Sequence, residues 1–359
     1  MLGNSLYQKF IPNDYDVFGG IDVDKKRMSI TFTDHQHNLK SISMPAKAED
    51  LIHYASKHFP SKRMAFAYEA GPTGYGLYDQ LTAQKYPCLV VAPSMVPTPP
   101  GQQVKTNRLD SRKIAESLRG GQLKSIHVPS PVYRQLRHLT QLRDTFIQDV
   151  AAFKCRIKAL LLFEGIAFPE APAGRGQWSV RVIHELRHLP CGESARFKLD
   201  QLLSALEFNC AQTLETQKEI RRFCSNDPEL SHCIRYLMSI PGIGWIVGAH
   251  LLARIGDWRF LTNVRQIAGF LGLVPRENST GERIRRGAIT KVGGRLQAKL
   301  IQSAWASIRQ DAELAAFYQT VYQKHPRDRA SRKAIVAVAR KLTTRIYCVL
   351  KEQRPYIIR

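Results

Sequence analysis

The chain has 359 residues, 44% of them hydrophobic, and sets 53 Lys and Arg against 30 Asp and Glu, a formal net charge of +23. Such a length exceeds one typical domain, the hydrophobic fraction excludes a disordered chain, and the charge selects polyanionic partners, nucleic acid ahead of an anionic membrane surface. The seven cysteines never fall in a C-x-x-C pair, which argues against a zinc site or a disulfide framework and for a reducing cytoplasm. No apolar run approaches membrane-spanning length and Met1 to Pro12 has no apolar signal core, so a soluble, cytoplasmic protein is expected.

In chain order, Val17 to Val23 and Met28 to Phe32 read as two strands joined by the polar turn Asp24-Lys25-Lys26-Arg27. Asn38 to Met44 has the period of two of a third strand, and Ala46 to Phe59 has helical spacing closed by Pro60. Met64 to Ala70 is a short buried strand broken by Gly71-Pro72. Tyr75 to Lys85 is a helix, Cys88 to Ala92 a strand, and about Asn107 to Leu118 a helix behind a basic loop. The order β-β-β-α-β-α-β-α is that of a ribonuclease H-like α/β fold.

Asp22 ends the first strand, a carboxylate in apolar company that is costly without a cation beside it. Glu69 ends the fourth strand and Asp110 lies in the first turn of the helix after the fifth. In that topology the three positions converge on one end of the sheet. Each acid alone reads equally well as a helix cap or a lysine partner. Together they suit Mg²⁺, which takes hard oxygen ligands and leaves positions for water and phosphate. Two such ions about 4 Å apart can activate an attacking oxygen and stabilise a leaving one.

The segments Gly20-Ile21-Asp22-Val23, Tyr68-Glu69-Ala70-Gly71 and Val104 to Lys113 resemble the N-terminal domain of the IS110 family of insertion-sequence transposases, which has Piv-type DNA invertases as relatives. The resemblance implies a RuvC-like nuclease fold with four acids, of which Asp22, Glu69 and Asp110 match. Asn107 stands where the third acid is usual. Asn keeps an acceptor oxygen but loses a charge, which should weaken a second metal position more than the first.

Gly120-Gly121 closes this domain, expected over 1–121. From Ser130-Pro131 to about Phe163 a long helix repeats Leu139, Phe146, Phe153 and Leu160 every seven residues, interrupted by Arg143. That is a coiled-coil-like arm or an antiparallel hairpin, expected over 122–168 and assigned to dimerisation; an ordinary bundle helix is the plain alternative. Pro169 to Gly176 reads as a linker, and Trp178 to Leu189 and Arg196 to Cys224 as helices of a mainly α-helical domain over 169–359. In it, Ile240-Pro241-Gly242-Ile243-Gly244 looks like the turn of a helix-hairpin-helix element, a seat for phosphate or a purely structural turn.

The run Gly272 to Arg295 places Ser279 among Arg283, Arg285, Arg286, Lys291 and Arg295. A serine beside glycine is in most proteins a turn residue. The whole run, however, resembles the C-terminal domain of the same family, from its Gly-Leu-Val-Pro start to its Lys-x-Gly end. The resemblance implies that Ser279 is the DNA nucleophile, with Thr280 the ambiguous neighbour, and that Gly294 replaces a usual Asn. Lys333 to Leu342 fits the family's closing helix.

The reading is a DNA recombinase. Asp22, Glu69, Asn107, Asp110 and Ser279 are its catalytic set; Mg²⁺, as two ions, is held by Asp22, Glu69 and Asp110. Lys105, Arg283, Arg285, Arg286, Lys291 and Arg295 contact nucleic acid. What the resemblance adds is a composite site between subunits of a homo-dimer or tetramer, and a structured guide RNA pairing with donor and target double-stranded DNA. A metal-only nuclease or junction resolvase and a non-catalytic nucleic-acid-binding protein are the rivals.

Overall fold

The computed structural model describes residues 10–97, 106–171, 174, 176–261, 263–277, 286–290 and 292–358. The chain divides into two compact units, Met1–Val128 and Pro129–Arg359. The long helix expected as a segment of its own, 122–168, therefore belongs to the same unit as the helices of 169–359.

In the first unit the elements run β1 (Val17–Val23), β2 (Arg27–Thr33), β3 (Asn38–Pro45), α1 (Ala48–His58), β4 (Met64–Glu69), α2 (Gly76–Ala83), β5 (Cys88–Val91) and α3 (Asn107–Arg119). The strands form one sheet in the order β3-β2-β1-β4-β5. β1 runs antiparallel to β2 but parallel to β4, and β4 parallel to β5. The hairpin-then-crossover order is that of a ribonuclease H-like sheet, as the sequence led us to expect.

Alternation along the strands divides two cores. Val17, Ile21, Phe66 and Tyr68 pack with Leu51 and Ala55 of α1 and Leu81 of α2. Phe18, Ala65, Ala67 and Val91 pack on the other face with Ile114 and Leu118 of α3. Successive residues of a strand point to opposite faces, so even-numbered positions of β1 and odd-numbered positions of β4 face α3.

In the second unit α4 (Pro131–Phe163) lies along α6 (Glu193–Asn226), with α5 (Val180–Arg187) between them in sequence. Ile157, Leu160 and Leu161 pack with Val182, Leu186, Leu199, Leu203 and Leu206, whereas Tyr133 and Leu136 share a core with Ile220 and Cys224. The start of α4 thus meets the end of α6, an antiparallel pairing. Of the seven-residue set, Leu160 is buried and Leu139, Phe146 and Phe153 are half-buried. Within the chain the repeat packs against α6 as a helical hairpin, one of the two forms expected of it.

The main core of this unit gathers α7 (Pro228–Met238), α8 (Trp245–Ile255), α9 (Val264–Phe270), α10 (Gly294–Ser307), α11 (Ala312–Gln323) and α12 (Arg327–Glu352) around the start of α4. The short strands β6 (Pro275–Glu277) and β7 (Arg286–Ile289) pair antiparallel. Between α7 and α8, Gly242 adopts φ +83°, and a Cβ there would stand 2.3 Å from the Ser303 carbonyl oxygen and 2.4 Å from Ser307 Oγ. Ser307 also donates to the Pro241 carbonyl at 2.6 Å. The turn is seated on α10, so packing alone explains its glycine. No helix among the described residues is long and apolar enough to cross a membrane.

Candidate active site

β1 and β4 are neighbours, with Ile21 opposite Tyr68 as their last registered pair. Asp22 and Glu69 follow one step on, both half-buried. Adjacent strands lie about 4.8 Å apart. By the alternation above, both carboxylates leave the sheet on the α3 face.

α3 reaches that face through two contacts. A Cβ at Gly20 would stand 2.2 Å from both the Ala115 amide nitrogen and the Ser111 carbonyl oxygen, so the helix crosses β1 backbone to backbone. Opposite Gly20 on β2, the buried Thr31 hydroxyl lies 2.9 Å from Ser111 Oγ and 2.9 Å from Ser41 Oγ. The helix runs against the direction of β1. Its last turn reaches the start of the strand, where Arg119 donates to the Asp34 carbonyl at 3.5 Å and Leu118 packs with Phe18. Its first turn therefore points toward the strand's end, bringing half-buried Asp110 and exposed Asn107 to the same face and end as Asp22 and Glu69.

Thr106 caps α3 by accepting from the Leu109 amide at 3.3 Å. The positive end of a helix favours negative charge within its first turn, which helps this unit tolerate acids together. Carboxylates and an amide oxygen are the donor set a hard divalent cation takes, so these residues fit such an ion in their chemistry. Among the described residues no three His, Cys, Asp or Glu side chains lie close enough together to hold a metal ion as they stand. A cleft of about 650 Å³ lined by Val23, Asp24, Met28, Lys47, Glu49 and Leu77 does not include Asp22, Glu69 or Asp110.

In the second unit, β6 and β7 flank residues 278–285. Ser279, Thr280, Arg283, Arg285 and Lys291 lie outside the described residues, as does Lys105 in the first unit, and the Arg286 side chain is likewise not described. Arg295 is exposed in the first turn of α10. What is described is how the base of the hairpin is held. Gln297 donates from Nε2 to the Gly272 carbonyl at 2.5 Å and the Thr290 carbonyl at 3.0 Å, and Arg254 donates to the Val292 carbonyl at 3.1 Å. Gly272, at φ +72°, would place a Cβ 2.5 Å from the Gly293 nitrogen, and one on Gly293 would stand 2.0 Å from the Leu271 carbonyl oxygen. The two ends of the run from 272 to 293 therefore touch through backbone, and neither position has room for a side chain. Gly294 has φ +52°, a conformation Asn also adopts at low cost. The Gly-for-Asn exchange thus preserves the backbone.

A family model described as a transposase of the DEDD IS110 type matches residues 19–164, and one described as the transposase IS116/IS110/IS902 family matches residues 234–319. A putative transposase, y4qE, of Sinorhizobium fredii (strain NBRC 101917 / NGR234) is 31% identical over 298 residues, covering 81% of this chain and 72% of that protein. The chain belongs to the IS110 family of transposases. The transposase for insertion sequence element IS1111A of Coxiella burnetii (strain RSA 493 / Nine Mile phase I) is 23% identical to this transposase over 282 residues, 78% of this chain and 75% of that one. The pilin gene-inverting protein of Moraxella bovis is 30% identical over 129 residues, covering 36% and 40% respectively.

Sequence reasoning missed one polar centre of this IS110 transposase. Asp144 on α4 accepts from Lys299 Nζ at 2.7 and 2.9 Å and lies 3.1 Å from His250 Nε2. Burial opposes its charge, but hydrogen bonds from His250 and Lys299 outweigh it and hold the carboxyl down at about 2. The trace in the sequence was the break in the apolar repeat at Arg143-Asp144; the partners, 106 and 155 residues away, left none.

Proposed function

We propose that this transposase cleaves and rejoins DNA by means of two groups, an acidic centre of Asp22, Glu69 and Asp110 and a nucleophilic Ser279. The observation that carries the reading is the arrival of three carboxylates at one end and one face of a ribonuclease H-like, RuvC-like sheet. Asp22, Glu69 and Asp110 would hold Mg²⁺, with Asn107 as a neutral oxygen ligand; the ion, when bound, supplies Lewis-acid polarisation of a phosphodiester. The carboxylates would keep that ion in place, and one of them would take up the proton that leaves the attacking hydroxyl. Ser279 Oγ forms a bond to phosphorus as one bridging oxygen leaves, taking up a proton. Rejoining reverses the exchange, so no oxidant or energy donor is needed. Arg283, Arg285, Arg286, Lys291, Arg295 and Lys105 neutralise phosphates, a role suited to the bidentate guanidinium group.

The net charge of +23 is more than one duplex site needs and supports a second polyanion, a structured guide RNA. Exposed Leu162, Phe163 and Val180 give apolar surface that supports a homo-dimer or tetramer.

The test is to incubate the full chain with Mg²⁺, element DNA and candidate RNA and to look for protein–DNA adducts that survive denaturation. Adducts lost in Ser279→Ala support the proposal. Cleavage without an adduct assigns the metal-only nuclease, and binding with neither assigns a non-catalytic role. Asn107→Asp restores a fourth acid and is expected to preserve or tighten Mg²⁺ binding in a calorimetric titration. A marked loss of affinity would remove Asn107 from the site.

A further inference from the structure

A cleft of about 480 Å³ opens in the second unit between α4, α8 and the first turn of α10. Its walls carry Arg137, Arg254 and Arg295 against a single acid, Asp144, whose two oxygens are already engaged by Lys299 and His250. The cleft therefore keeps an excess of positive charge with no carboxylate left to answer it from its own lining.

Its donors are directed by the fold. Arg137 donates from Nε to the Ala253 carbonyl at 2.9 Å, closing the end of α8. Arg254 stacks 5.1 Å over the Phe270 ring and reaches the Val292 carbonyl, while its Nε is enclosed with no hydrogen-bond partner. Arg295 is exposed in the first turn of α10. The floor is backbone: Gly293 caps α10 with no side-chain bond, and a Cβ on Gly294 would meet nothing within 4 Å. Guanidinium forks together with the open amides of a helix start are the donor set for a phosphate oxygen.

We propose that this cleft is a phosphodiester seat that holds one backbone phosphate of the DNA beside the base of the β6–β7 hairpin. It rests on the DNA reading of this unit but not on Ser279 as nucleophile. Arg254 and Arg295 would grip the phosphate oxygens. The Asp144–His250–Lys299 group would keep the wall neutral and rigid, so that the arginines set the local field.

Gly294 supplies the test, because Asn and Asp both accept its left-handed conformation and differ by one charge. Full-length protein is titrated with a fluorescein-labelled DNA duplex in EDTA, from about 50 to 200 mM salt. Gly294→Asn is expected to bind as the parent does. Gly294→Asp, which places a carboxylate in the cleft, is expected to bind about tenfold more weakly, with a log–log salt slope shallower by about one. Arg254→Gln with Arg295→Gln should reproduce that loss, and Arg181→Gln, on α5 and paired with Glu185, should not. Thermal melts confirm that each variant is folded. Equal affinity of the Asp and Asn variants overturns the proposal. So does a loss confined to a labelled RNA of the same length. Repeating the comparison with Ser279→Ala present should leave the difference intact, which separates failure of this seat from failure of the nucleophile.

Discussion

Gly20→Ala is expected to cost about 3 kcal/mol or more of stability and, with the acidic centre acting as proposed, to slow strand cleavage about 10²-fold. A methyl group there would overlap the Ser111 carbonyl and the Ala115 amide at 2.2 Å. Both contacts are backbone, so trimming a side chain on α3 cannot relieve them. The helix must lift, and with it go Asp110 and Asn107, while Asp22 and Glu69 stay on the strands. A displacement of about 1 Å suffices to misalign a reacting phosphate. Urea denaturation reads the first effect and the rate of adduct formation the second. Gly76→Ala, where a Cβ meets nothing within 4 Å, is the control and should be close to neutral in both. A Gly20→Ala protein with parental stability and rate would show that α3 is not seated as described.

The second large effect is at Asp311, where α11 begins. Its carboxylate caps the helix by accepting from the Leu314 amide at 3.0 Å and meets Arg345 of α12 at 2.5 Å, with only 2% of the residue exposed. Arg345 also bonds Glu313 at 3.0 Å and lies 4.6 Å over the Tyr356 ring. Removing one partner of a buried pair leaves the other charged in a poor environment, so Asp311→Ala should cost about 3–5 kcal/mol. Adding Arg345→Met should recover part of it, as double-mutant analysis of denaturation midpoints would report.

The same residue predicts acid behaviour. Burial raises the Asp311 carboxyl, but the Arg345 and Leu314 hydrogen bonds prevail and hold it below the usual carboxylate range. A depressed folded value means that its contribution is complete above the unfolded value, about 3.9, and is lost as pH falls through the folded value. Asp144, held at about 2, acts in the same direction. Acid unfolding should therefore steepen below about pH 4, and Asp311→Ala should flatten that limb. An unchanged limb would mean that the pair does not form in solution.

The order of strands and helices was legible because glycine, proline and apolar period mark each boundary locally. β1 to α3 fall within a few residues of where spacing puts them. The placement of Asp22, Glu69 and Asp110 followed from topology, since the ends of β1 and β4 and the start of α3 come to one end of this sheet. Contacts made across sequence were not. Nothing near Gly20 announces a helix that begins at Asn107, and nothing near Asp144 announces His250 or Lys299. The seven-residue repeat of α4 fixed a helix with an apolar stripe, but spacing cannot say whether the partner is another chain or, as with α6, the same one.

The mutual contact of Gly272 and Gly293 separates two demands on one stretch of chain. The stretch between them leaves and rejoins the helical unit at one closed neck, and its first residue, Leu273, is buried in the main core and belongs to that unit's fold. Lengthening it costs only about 0.6 kcal/mol for each doubling. Added length beyond Leu273 is then cheap, whereas neither glycine of the neck can take a side chain without moving backbone.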